Sequence, residues 1–170
     1  MWHKVLKNTI NKDTIVELVR EKNNIHSKID LFYTPLNYIR VVNINGNADN
    51  RATQEEKIIA TNRSNPILGN PHVMKEKSLK ERARVIDSYK KDLITDLVSE
   101  GPIYQILNNI AQDIFDTKEK IALSCFCAPL DCHAHLLQKA LTFMLYEKIV
   151  LDLAQKKQER KNSLKNKMNI

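Results

Sequence analysis

The sequence predicts a small α/β fold: a mostly parallel sheet flanked by helices, with a basic C-terminal helical tail. Three observations carry this. Residues 39–44 (Ile-Arg-Val-Val-Asn-Ile) are rich in β-branched residues, the composition of a buried strand. Residues 120–126 (Lys-Ile-Ala-Leu-Ser-Cys-Phe) form a second apolar run. Helical stripes lie between and after these runs, and strands alternating with helices imply parallel pairing.

In chain order, residues 13–22 read as a short helix with Ile15, Leu18 and Val19 on one side and Asp13 as its cap. The strand at 39–44 follows, then a polar, turn-rich stretch at 45–53. Residues 57–61 read as a second strand. Residues 62–71 hold two Pro and one Gly, which exclude regular structure and predict an ordered loop.

Ser78 opens a long helix whose apolar face runs through Leu79, Ala83, Ile86, Tyr89, Leu93 and Leu97 at steps of three and four. Gly101-Pro102 ends it, and Pro102 suits the first position of the next helix. There Ile103, Leu107, Ile110 and Ile114 form a second stripe. The strand at 120–126 hands over, through a turn at 128–131, to a helix at 132–154 that is apolar on most sides and therefore central.

The length of 170 residues suits a single α/β domain at 1–154, with a tail at 155–170. The charge is uneven. In the tail, Lys156, Lys157, Arg160, Lys161, Lys165 and Lys167 stand against Glu159 alone, which places +5 of the net +7 there. Such a tail suits a polyanion, or is a solvated helix end. No apolar run approaches the roughly 20 residues that span a bilayer, and the N-terminus lacks the apolar core of a signal peptide. The expectation is a cytoplasmic protein with no membrane partner. Three Cys within eight residues do not form a disulfide framework.

The segment Cys125-Phe-Cys-Ala-Pro-Leu-Asp-Cys-His133 is the expected functional site. It lies where a strand hands over to a helix, and ligands bind beyond the carboxyl ends of parallel strands. A thiol at a helix N-terminus is expected to be a lowered-pKa thiolate. Cys132 is therefore the candidate nucleophile or pocket wall, His133 the candidate acid or base, and Asp131 the third member of the set. The same segment offers four zinc ligands, Cys125, Cys127, Cys132 and His133. It lacks the usual Cys-x2-Cys spacing, and no metal is assigned there. A third reading makes the Cys small buried residues, with His133 packing beside them.

Arg63 suits bidentate contact with phosphate, and Asn62, Ser64 and Asn70 suit a base or sugar edge. The opposing reading gives Arg63 a structural ion pair and Asn70 a turn. Asp49 followed by Glu55-Glu56-Lys57 is a weak pattern for a Mg²⁺ cofactor. No phosphate-binding Gly-x4-Gly-Lys-Ser/Thr loop and no Gly-x-Gly-x-x-Gly occurs, which disfavours a P-loop ATPase or a dinucleotide-dependent dehydrogenase.

Val41-Val42-Asn43, the loop Arg63-Ser64-Asn65-Pro66-Ile67-Leu68-Gly69-Asn70-Pro71 and the turn from Cys125 to His133 together resemble the family called domain of unknown function 4326. The resemblance covers about residues 40–145. Ala134 and Asn62 depart from its pattern, which commonly has Gly at both positions, and both changes affect how closely a ligand approaches the backbone. The resemblance implies a compact α/β fold and a bacteriophage setting, with no established activity. Together these readings lead to an enzyme directed at nucleic acid, cleaving or modifying DNA in the host cytoplasm. The alternative is a non-catalytic protein that binds a nucleotide or a host protein, such as one that processes DNA.

Overall fold

The computed structural model describes residues 1–7, 11–24, 38–46 and 50–168. Its elements in chain order are α1 (Trp2–Lys7), α2 (Lys12–Asn23), β1 (Ile39–Asn43), β2 (Glu56–Ala60), α3 (Leu79–Ser99), α4 (Pro102–Thr117), β3 (Lys120–Cys125) and α5 (His133–Met168). Asp49, the first acid of the magnesium pattern, lies outside the described residues.

The sheet has the order β1-β3-β2 and both pairings are parallel. In register, Asn43 pairs with Cys125, and Ala60 with Ser124. The three strands therefore end together, and the chain leaves each of them on the same side. β3 is central and buried from Ile121 to Cys125, as its unbroken apolar run requires.

Each helix forms for a local reason. Asn11, and not Asp13, caps α2: its side-chain oxygen accepts the Thr14 N–H at 2.7 Å. Ser78 caps α3 by accepting the Glu81 N–H at 3.1 Å. α4 opens with Pro102 and has no cap of its own. Asp96 of α3 supplies one, accepting the N–H groups of Ile103 at 3.2 Å and Tyr104 at 2.8 Å. A side chain at Gly101 would collide with that carboxylate.

α5 is the centre of the molecule. It packs against α4, α2, α1 and β1. Leu137, Leu141, Phe143, Leu145 and Tyr146 are wholly buried, and Trp2 of α1 meets the Phe143 ring edge-on at 5.1 Å. The stripe of α4 is buried at all four positions.

Two expectations are corrected. Leu79 is 80% exposed and Ala83 is also exposed, so the apolar face of α3 is buried only from Val85 onward. The expected helical tail is borne out, but not the helix end at 154: α5 continues unbroken to Met168, with every side chain from 155 to 167 exposed. Thirty-six residues make a rod of about 54 Å.

Candidate functional site

Because the strands are parallel, the segments that leave them gather at one edge of the sheet. There a cavity of about 600 Å³ opens between the 62–71 loop, the first turns of α3 and the Cys125–His133 turn. Asn62, Arg63, Ser64, Asn70, Asp131, Cys132 and His133, the site residues expected from sequence outside the tail, all line it. So do Cys125 and Cys127.

The loop is built by its own asparagines. Asn62 Oδ1 accepts the Ser64 N–H at 2.9 Å and the Ser64 hydroxyl. The Asn65 side chain donates to the Ala60 carbonyl at 2.9 Å and accepts the N–H groups of Ile67 and Leu68. Asn70 is buried, donates to the Val85 carbonyl of α3 at 3.2 Å and accepts the His72 N–H at 2.8 Å. Arg63 donates through Nε to the Asn70 carbonyl at 3.3 Å and through Nη2 to the His72 carbonyl at 3.0 Å. Its guanidinium is thereby held at the cavity wall.

The opposite wall is the cysteine turn. Asn43, at the end of β1, pins it by donating to the carbonyls of Phe126 at 3.2 Å and Ala128. The Ala128–Pro129 peptide bond is cis. Cys125, Cys132 and His133 are 3%, 4% and 5% exposed, and their ligand-type atoms all lie within 4.8 Å of one another. Cys127, half-buried, shares hydrogen bonds with both other thiols.

Convergence sets the electrostatics. Hydrogen bonds with Cys125 and Cys127, followed by burial, push the Cys132 thiol far above its usual value. Cys127 moves the other way, lowered by hydrogen bonds from Cys125 and Cys132 and by Arg82 of α3. The direction at Cys132 is thus opposite to the one expected for a lone thiol at a helix N-terminus, because two further thiols bond to it. Burial lowers the pKa of His133, against an opposing hydrogen bond to Thr61. That bond, at 2.6 Å, runs to the Thr61 carbonyl, so Nε2 carries the proton and Nδ1 of the neutral ring keeps its lone pair.

Sequence reasoning missed three residues. Arg82 lines the cavity, and its Nη1 donates to the Asp131 carbonyl at 3.4 Å. Thr61 receives His133. Tyr89 meets the His133 ring edge-on at 5.0 Å and donates its hydroxyl to the Leu68 carbonyl at 3.0 Å, joining turn and loop. Only the position of Arg82 in the helical turn after the loop hinted at its place.

Where it is described, the magnesium pattern is engaged in ion pairs. Glu56 is bound to Arg40 at 2.5 Å, Glu55 to Lys120 at 3.1 Å, and Lys57 lies 3.6 Å from both Asp113 and Glu119. Ion pairs across neighbouring elements occupy all three. In the extension of α5, Lys156 pairs with Asp152 at 2.8 Å. Lys157, Lys161 and Lys165 follow at steps of four, and Arg160 follows Lys156 likewise, which groups these charges on one side. No helix among the described residues is long and apolar enough to cross a membrane.

No curated protein and no solved structure matches the chain. The model of one family, domain of unknown function 4326 (DUF4326), matches residues 42–142, more than half of the chain and including both walls of the cavity, and the chain belongs to that family.

Proposed function

We propose that the protein is a nucleic-acid-directed enzyme that takes one nucleotide unit of a DNA strand into the cavity. The carrying observation is that two distant segments, the Arg63 loop and the Cys125–His133 turn, close on one cavity of about 600 Å³ at the carboxyl edge of a parallel sheet. That volume falls in the range of small-ligand sites, and that edge is where such folds bind ligands. On this reading the loop and the turn are the elements that define the family's function. Arg63 and Arg82 hold the phosphate, Asn62 and Ser64 meet the sugar or base, and Asp131 is the group placed for chemistry. The basic face of the α5 extension holds the rest of the polymer through its phosphates.

One observation favours the second reading, a binding protein without catalysis. His133 spends its Nε2–H on Thr61, and hydrogen bonds with Cys125 and Cys127 push the Cys132 thiol upward. Neither is poised as the acid or the nucleophile.

The test incubates the protein with single- and double-stranded DNA, including uracil-containing and abasic strands, with and without magnesium. Cleavage is read on a denaturing gel and binding by fluorescence anisotropy. Arg63→Ala and Arg82→Ala are each expected to weaken binding by roughly 10- to 100-fold, the value of a charged hydrogen bond. Product formation that both variants reduce supports the enzyme. Salt-sensitive binding without product moves the assignment to a binding protein. Binding that neither substitution alters refutes the cavity as its seat.

A further inference from the structure

We propose that the cysteine turn is a zinc centre, in which Cys125, Cys127, Cys132 and His133 hold one Zn²⁺ through three thiolate sulfurs and the imidazole Nδ1. The inference is independent of what occupies the cavity.

Ligand geometry carries it. A tetrahedral zinc ion takes sulfur at about 2.3 Å and nitrogen at about 2.0–2.1 Å, which places neighbouring ligand atoms roughly 3.3–3.8 Å apart. The sulfurs of Cys125 and Cys132 and the His133 nitrogen lie within 4.8 Å of one another and are buried. Cys127 lies outside that group of three, but it interacts with both other thiols and is the nearby thiol that supplies the fourth ligand. The spacing of Cys125 and Cys127 is one residue short of the common pair, but both are placed by the end of β3 and the turn that Asn43 pins.

The surroundings are those of a metal site. A zinc-bound imidazole characteristically donates its other N–H to a carbonyl or carboxylate, which fixes the ring. His133 does this with Thr61 at 2.6 Å, and Tyr89 braces the ring edge-on. Three thiolates on Zn²⁺ leave one negative charge, and Arg82 reaches Cys127 to offset it. Binding releases the protons of the three thiols, while the neutral imidazole binds through its lone pair and releases none. Four protein ligands close the coordination sphere. The ion therefore holds the turn and the start of α5 in place, as structural zinc does, and is not the reacting group.

The experiment measures metal content of the full chain purified under reductant without chelator, then thiol reactivity and the absorption spectrum after cobalt exchange. One zinc per chain is expected. The cobalt form should show the visible bands of tetrahedral coordination with sulfur-to-cobalt charge transfer, and the three thiols should react only after chelation. A folded chain that stays metal-free with excess Zn²⁺ under reductant, with thiol reactivity indifferent to chelator, overturns the proposal. Substitution of Cys125 or Cys132 risks the fold, so half-buried Cys127 is the test position. Cys127→Ser should weaken zinc binding by more than roughly tenfold and reduce the charge-transfer intensity. Unchanged affinity and spectrum would remove Cys127 from the ligand set and refute the four-ligand centre. Arg63→Ala should keep its zinc, so failure of the DNA reading and failure of the zinc reading are separable.

Discussion

The two walls of the cavity are built on opposite plans. The 62–71 loop satisfies its polar atoms from within and from α3: Asn62, Asn65, Asn70 and Arg63 all spend side-chain hydrogen bonds on nearby backbone or on Ser64. The cysteine turn is pinned from outside by Asn43, and its thiols find mainly one another. A buried polar group without a good partner costs about 1–3 kcal/mol. The loop is thus complete as polypeptide, whereas the turn gains most from a partner that the chain does not supply. A loop of the first kind fails when its own backbone is disturbed. A turn of the second kind fails when its anchor or its partner is removed.

The largest expected effect breaks the loop and spares the turn. A Cβ on Gly69 would lie 2.5 Å from the carbonyl oxygens of both Asn62 and Asn65. Neither is the yielding end of a side chain, so the backbone must shift. Gly69→Ala is expected to cost about 3 kcal/mol in denaturant unfolding, near the upper end for overpacking. Zinc content should not change. A cost below about 0.5 kcal/mol would mean that the loop is pliant and that Arg63 is not held by it.

The reverse experiment loosens the turn. Asn43→Ala removes the donor to Phe126 and Ala128 while leaving the β1–β3 ladder intact. A loss of about 1–2 kcal/mol is expected. The sharper readout is thiol chemistry: Cys127 and Cys132 should react faster with a thiol reagent, and the 62–71 amides should keep their exchange protection. Equal loosening of both walls would show that Tyr89, which touches each, makes them a single unit.

Legibility in the sequence tracks the range of the interactions. β3, the stripe of α4 and the Ser78 start of α3 were readable because strand composition, helical spacing and capping are local. The helical spacing of Leu79 and Ala83 named a face correctly but could not say where its partner ends, and both lie beyond the buried part of α3. The charge of 155–168 resembled a boundary. Yet that stretch contains neither Gly nor Pro, and pairs such as Gln155–Glu159 and Gln158–Asn162 at four-residue spacing support helix throughout. At the cavity, sequence found both walls but could not place the other thiols beside Cys132. A helix N-terminus lowers a thiol pKa, and only three dimensions show two further sulfurs converging to reverse it. Thr61, Tyr89 and Arg82 were out of reach because their contacts span long stretches of chain.

Acid tests the end of the sheet away from both walls. Hydrogen bonding from Arg40 holds the Glu56 carboxyl at about 2, and the Thr53 N–H at 2.7 Å adds to it. The folded-state value lies below the usual one. The stabilisation is therefore complete above the ordinary carboxylate range and is lost as pH falls from about 4.5 to about 2. Glu56→Gln should lower stability by roughly 1–2 kcal/mol at neutral pH and flatten that acid limb. If the limb is unchanged, other carboxylates govern acid unfolding and the start of β2 is not its weak point.

The smallest effect on stability separates the walls from the tail. Residues 155–167 bury no side chain, so ending the chain at Ala154 should change unfolding by no more than about 0.5 kcal/mol, the range for surface changes. The consequence should appear in DNA binding. Each lost phosphate contact should make the dependence of log affinity on log salt shallower by about 0.9 on duplex DNA. Arg63→Ala should instead weaken binding while shifting that slope by one contact at most. The two losses then divide the work: the cavity recognises a unit, and the rod holds the polymer. If truncation leaves the slope unchanged, the charges on α5 serve solubility, and recognition rests on the walls alone.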